Sequence, residues 1–308
     1  TGIDPVTHTS DATHRAYVVS FDRPYDRHEG LGDFPRSEFN LIRWLERESY
    51  NITYFSDLDI HASANPLQGR RLLIVGGHDE YWSTAMREHV TEARDSGTSL
   101  AFFSANNVYW HVRLQASPFG ADREMICYKD ALLDPVYHKQ PLETTTHWRD
   151  PPLSNPENRL LGEMYQGIVM YHGVANEGTN APLVLAPDAR PFLKGTGLTV
   201  GSSIPGVVGG EYDNISAADL SGYPLMLLAG SPVRCNPGVS ACPLDGWAVS
   251  NATLYRLPNG VGVFDAGTFY WSWGLDDKPF DSYGPSVESS SPGFQRFTAN
   301  ILAYLLAR

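Results

Sequence analysis

Apolar and polar positions follow two alternating rhythms along the first part of this chain. Leu72, Leu73, Ile74 and Val75 form an unbroken apolar run of the kind covered on both faces in a parallel sheet, and Gly76 and Gly77 then permit a sharp turn. Segments 16–22 (AYVVSFD), 52–56 (ITYFS) and 99–106 (SLAFFSAN) read as further strands. Between them the spacing becomes helical. Phe39, Ile42, Trp44 and Leu45 share one side of a segment from Arg36 to Tyr50, and a second helix runs from about Thr84 to Ser96 and stops at Gly97. Strands separated by helices imply right-handed crossovers, so about the first 115 residues predict a doubly wound, mainly parallel α/β sheet.

From about Asp122 to Asp213 the helical rhythm fades, proline and glycine become frequent, and short β-type pieces such as EMICYK and FLKGTGLTV appear. This span reads as a β-rich insertion within a single domain covering residues 1–308. The sheet is expected to resume at PLMLLAG. Pro258, Asn259 and Gly260 between two alternating runs signal a hairpin. Ser291 and Pro292 then open a terminal helix with Phe294, Phe297, Ile301, Tyr304 and Leu305 in one apolar stripe.

Charge and composition narrow the partners. The 308 residues carry a formal net charge of −12 with no Lys/Arg cluster, which disfavours a phosphate backbone or an anionic bilayer surface as partner. No apolar run approaches the roughly 20 residues needed to cross a bilayer as a helix. The chain starts at Thr1 without a charged-then-apolar leader, so it reads as processed or cut from something longer, with a lost signal peptide and a secreted location as the expectation and the cytoplasm as the other. Of three cysteines, Cys235 and Cys242 are spaced to close a small loop, and Cys127 is left over.

Ligands of open α/β sheets bind beyond the carboxyl ends of strands, which makes the loop His78–Asp79–Glu80–Tyr81 a candidate site. An alternative reading makes Asp79 or Glu80 a cap of the next helix. The Gly-x-Ser-x-Gly elbow is missing, and Ser104 after its strand lacks the flanking glycines. Cysteine does not follow a central strand, and no His-Glu-x-x-His zinc signature occurs. Oxygen donors suit hard cations instead. Asn106 and Asn107 sit where they could bind a substrate carbonyl or a tetrahedral oxyanion, or could serve the turn itself. Trp110, Trp148, Trp271 and Trp273 read either as core or as a wall able to stack on a sugar; alternation places Trp271 and Trp273 on one face of a strand. Arg23, Arg113 and Arg149 read as partners of buried carboxylates.

GHDEYWS at 77–83, FFSANNVYW at 102–110, REMICYKD at 123–130, HWRDPP at 147–152, PENRLLGEMY at 156–165, GGEYD at 209–213 and GTFYWSWGLD at 267–276 occur in order over most of the chain. Together they resemble the carboxy-terminal, catalytic-type domain of the N,N-dimethylformamidase large (beta) subunit family. The resemblance implies a class I glutamine amidotransferase-like α/β fold, often found inside larger exported bacterial proteins. It also implies a mononuclear ferric iron held by two tyrosine phenolates and one glutamate. Tyr81 in GHDEYWS and Tyr25 in FDRPYD are the phenolates that it suggests. The glutamate is Glu163 or Glu211, with Glu163 ranked first by distance along the chain. His78, Glu80 and Asn106 become the catalytic candidates. The implied activity is metal-dependent hydrolysis of a carbon–nitrogen amide bond in a small amide or carbohydrate-linked substrate, with further domains or subunits as partners. A non-catalytic or glycan-binding module of a larger secreted protein is the alternative.

Overall fold

In the computed structural model the described residues are 15–25, 30–171, 174–175, 180–215, 221–235, 237, 241–276, 278 and 290–307. The apolar runs Leu72–Gly76 and Ser99–Phe103 are strands, paired in parallel with Leu73 opposite Leu100. Gly262–Asp265 adds a third parallel strand, Val263 lying opposite Leu100. Beyond it the direction reverses. Trp247–Arg256 pairs antiparallel with Gly262–Asp265 across the turn at Pro258–Gly260, and Met226–Arg234 pairs antiparallel with Trp247–Arg256. The five strands lie in the order Met226–Arg234, Trp247–Arg256, Gly262–Asp265, Ser99–Phe103, Leu72–Gly76.

This mixed sheet corrects the expected doubly wound parallel fold. The protein is β-rich, with mixed and antiparallel sheets and few helices. Two of the predicted parallel strands do not join the central sheet, for reasons visible in their side chains. Val18 and Val19 are exposed, and Val18–Ser20 pairs antiparallel with Gly120–Ile126 in a separate three-stranded sheet that includes Arg113–Ser117. Residues 52–56 form no strand. Tyr54 is exposed and donates its phenol hydrogen to Glu46 at 2.8 Å, which ties it to the helix Phe39–Arg47. Packing context overrides β-propensity at 52–56 and redirects the strand Val18–Ser20 to another sheet. The antiparallel half arises from consecutive strands joined without an intervening helix, which permits a hairpin but no parallel crossover.

The strand periodicity assigns each face of the sheet. Ala101, Phe103 and Phe264 face a core completed by Phe294, Phe297, Ile301 and Leu305 of the terminal helix Pro292–Leu306, all of them almost wholly buried. Leu100, Phe102 and Val263 face Trp82, Met86 and Val90 beside the helix Thr84–Ser96. Ser291 caps the terminal helix, accepting from Phe294 N at 3.2 Å. Gly97, at φ 123°, ends Thr84–Ser96 where the stop signal placed it.

In the segment 122–213, Met164–Ile168 pairs with Glu211–Asn214, and Ala181–Val184 with Ser203–Val208, both antiparallel. FLKGTGLTV is not β: Pro187–Phe192 is a 3-10 helix and turns follow it. The expected strand through Trp271 and Trp273 is likewise a 3-10 turn, Trp271–Gly274, with Trp271 in the core. Cys235 and Cys242 form the disulfide that their spacing suggested, with Cα atoms 5.7 Å apart, and Cys127 is free. No helix of the described residues is long and apolar enough to cross a membrane.

Candidate active site at the rim of the parallel strands

Gly77, at φ 79°, turns the chain out of Leu72–Gly76, and the loop that follows is laced to the loop after the neighbouring strand. Val108 N donates to Asp79 O at 2.9 Å, and Tyr109 N and Trp110 N both donate to Glu80 O, at 2.9 and 2.8 Å. Tyr81–Trp82 and Trp110–His111 then pair in parallel. The helix Thr84–Ser96 is capped by Ser83, whose hydroxyl accepts from Met86 N at 3.2 Å. Asp79 and Glu80 are therefore released from the capping role, and Glu80 points into a polar cluster.

Asn106 is the hub of that cluster. Its left-handed backbone, φ 55°, turns the side chain so that Nδ2 donates to Glu80 Oε1 at 3.1 Å and to Glu211 Oε2 at 2.7 Å. Glu211 arrives on the strand Glu211–Asn214. Trp110 Nε1 also donates to Glu80 Oε1, at 2.9 Å. His78 Nε2 lies 3.3 Å from Glu80 Oε2 and 3.7 Å from Glu211 Oε2, and its ring packs on Phe269 with centroids 4.3 Å apart. Lys129 Nζ donates to the Tyr81 phenol oxygen at 2.7 Å and lies over the rings of Tyr81 and Trp110.

The electrostatics separate the two glutamates. Burial works to raise the Glu80 carboxyl, but the hydrogen bond and charge of His78 and the charge of Lys129 outweigh it and hold Glu80 below its ordinary value. Glu211 is pushed up to about 6 by burial and the nearby Glu80, against the pull of His78 and Asn106. Burial would depress the His78 imidazole, yet its hydrogen bond to Glu80 and the charges of Glu80 and Glu211 hold it above its usual range. Tyr81 is raised by burial and by the charge of Glu80. One carboxylate is thus fixed as an anion while its neighbour titrates near neutrality, a division of the kind that acid–base chemistry uses.

Of the residues singled out in the sequence, His78, Glu80, Tyr81, Asn106 and Glu211 meet here. Tyr25 is 41% exposed, with the Arg23 guanidinium over its ring. Glu163 is fully buried elsewhere in the interior, beside Thr253 and within the charge field of Asp213. Asn106 differs from its expected part: both Nδ2 hydrogens go to carboxylates, which leaves none for an oxyanion. Ser104 is buried and donates its hydroxyl hydrogen to Gly77 O. Trp148 and Trp271 are core, Trp273 stacks on Tyr270, and Trp247 is the exposed tryptophan. Arg113 pairs with buried Asp134 at 2.7 Å and Arg149 with buried Glu157, as the ion-pair reading expected. Lys129 and Phe269 were missed, although both lie in the quoted motifs. A lysine among the aromatic and apolar residues of REMICYKD was the available signal.

A cavity of about 840 Å³ borders the same loop at His78 and Asp79 and is lined by Glu38, Leu41, Tyr54, Asp57 and Ile74 among others; it does not reach Glu80, Asn106 or Glu211. Among the described residues no group of three or more His, Cys, Asp and Glu side chains is arranged to hold a metal ion. The oxygen donors that do converge are Glu80, Glu211 and Tyr81.

The fold and the rim define a mixed sheet between helices that carries an acid–base cluster where its parallel strands end. The chain belongs to the N,N-dimethylformamidase beta subunit-like, C-terminal family, whose model matches residues 4–284. No curated protein matches the chain.

Proposed function

We propose that this chain hydrolyses the carbon–nitrogen bond of an amide at the rim cluster, with the aid of a ferric ion. Membership of a dimethylformamidase-like family supports the reaction class. The observation that carries the site is the convergence of Glu80 and Glu211 on one amide nitrogen, Asn106 Nδ2, with His78 within 3.7 Å of both.

The donors fit a hard cation in kind. Glu80 is kept ionised and Tyr81 shares its charge field, while Asn106 Oδ1 is buried without a partner beside them. Glu80 and Tyr81 are the residues that would hold the metal. Bound there, a ferric ion would polarise the amide oxygen and lower the pKa of water.

The chain's own groups divide the remaining work. Glu211, titrating near neutrality, takes a proton from the attacking water and returns it to the departing amine nitrogen. His78, held protonated, keeps the two carboxylates apart in charge and in position. Lys129 gives one hydrogen to Tyr81 and retains others for the oxygen that gains charge in the tetrahedral intermediate. Phe269 and Trp110 present apolar surface to the substituents of a small amide.

Turnover of small formamides and acetamides by purified, iron-loaded protein tests this reading. Glu211→Gln is expected to lower kcat by about 10²- to 10⁴-fold. The proposal is lost if wild type cleaves no amide, or if Glu211→Gln and Glu80→Gln both retain the wild-type rate.

A further inference from the structure

The strand Glu211–Asn214 carries two acids, Glu211 and Asp213, with an irregularity in its pairing between Tyr212 and Asp213. Both grip the same residue. Glu211 Oε2 accepts from Asn106 Nδ2 at 2.7 Å, and Asp213 Oδ1 accepts from the Asn106 backbone N–H at 2.8 Å. Asp213 is itself anchored: it is fully buried, its N–H donates to Gly267 O at 3.1 Å, and it lies opposite Tyr165 in the pairing with Met164–Ile168. Asn106 is almost wholly buried as well, so its N–H has no recourse to bulk water.

We propose that Asp213 is a positioning residue of the rim, clamping the Asn106 backbone so that one side-chain amide serves Glu80 and Glu211 together. The left-handed backbone of Asn106 is an uncommon conformation for a residue with a side chain, and it persists where surrounding bonds fix it. The Asp213 bond holds the N–H of that peptide from outside the loop, while His78 engages its carbonyl, that of Ala105. Remove it and the buried N–H is orphaned, a loss relieved by rotating the peptide; the rotation draws Nδ2 away from the two carboxylates. Glu80 and Glu211 would then face each other without their shared donor. Asp213 touches no reacting atom in this scheme and acts through Asn106.

This inference deepens the amide-hydrolase reading, and its kinetic arm rests on that reading. Asp213→Asn keeps an oxygen acceptor at the same place, whereas Asp213→Ala removes it. In the full chain, Asp213→Ala is expected to lower kcat by about 100-fold with KM changed less than about twofold, and Asp213→Asn to restore most of the rate. A second arm needs no substrate: amide hydrogen exchange at Asn106 is expected to accelerate by about 100-fold or more in Asp213→Ala and to stay near wild type in Asp213→Asn. Unchanged exchange at Asn106 in Asp213→Ala overturns the clamp, as does an Asp213→Asn protein with exchange as fast as that of the alanine variant. If Asp213→Ala does not fold, Asp213→Val takes its place, and fast exchange in Asp213→Asn still refutes the proposal. Should wild type cleave no amide, the catalytic reading falls while the exchange arm still decides the clamp.

Discussion

Lys129 donates a hydrogen bond to the phenol oxygen of Tyr81 across 2.7 Å, which places an ammonium group inside a rim otherwise rich in carboxylates. Its charge is one of the influences that keep Glu80 ionised. Lys129→Met retains the aliphatic stem over Tyr81 and Trp110 and deletes the charge and donors. The expected result is a kcat lower by about 10- to 100-fold with little change in melting temperature, read from steady-state kinetics and a thermal melt.

The two glutamates weighed as metal ligands, Glu163 and Glu211, are separated by the fold, and Glu80 stands beside Tyr81. With the proposed ferric ion held by Glu80 and Tyr81, iron measured by elemental analysis would drop at least about tenfold in Glu80→Gln, together with any visible charge-transfer band. In Glu163→Gln it is expected to remain, because that side chain is sealed in the interior beside Thr253. Retention of iron by Glu80→Gln would remove Glu80 from the ligand set.

Glu211 is pushed up to about 6 in the metal-free protein, and as the proposed base it would act ionised, so kcat/KM is expected to rise with pH as Glu211 loses its proton. His78 is raised above its ordinary value, and in the proposed mechanism, where it serves protonated, the rate is expected to fall again as it deprotonates at higher pH. Glu211→Gln should abolish the acid limb while leaving the alkaline one in whatever activity remains. A pH–rate profile of the two proteins checks both limbs.

Glu163, Asp213 and Asp265 are fully buried, each raised first by burial, and their charges act on one another. The folded state keeps protons that the unfolded chain has already released above the ordinary carboxylate range. Stability contributed by these groups is complete below that range and is lost as pH rises through their raised values. Asp265→Asn, which keeps the acceptor for Gly267 N, is therefore expected to gain melting temperature relative to wild type at pH 8 more than at pH 5. An equal offset at both values would show that Asp265 carries no raised pKa.

Local pattern made some elements legible and left their arrangement obscure. Leu72–Gly76, Thr84–Ser96 with its Gly97 stop, and Pro292–Leu306 with its Ser291 cap follow from periodicity and capping chemistry alone. The hairpin turn at Pro258–Gly260 sets Trp247–Arg256 and Gly262–Asp265 antiparallel to each other, but no local signature tells that Gly262–Asp265 also joins Ser99–Phe103 in parallel. Tyr54 and Val19 have strand-forming chemistry, but their partners lie elsewhere. In the site, the loop from His78 to Tyr81 was readable because a buried run ends in glycines followed by polar groups. The part of Asn106 was not, since its donors are claimed by carboxylates from two separate segments. Lys129 likewise becomes significant only once Gly120–Ile126 brings the residues after it toward Trp110.

Gly262–Asp265 is flanked by a parallel neighbour on one side and an antiparallel neighbour on the other, with all four residues buried. The loops that carry His78–Tyr81 and Asn106 hang from the parallel strands, and Asp213 and Asp265 both bond Gly267, two residues beyond the end of the seam strand itself. Damage at this seam would therefore be felt twice. A substitution there that slackens the scaffold also lets Asn106 drift from the acids it serves, so in this protein loss of firmness and loss of chemistry should travel together.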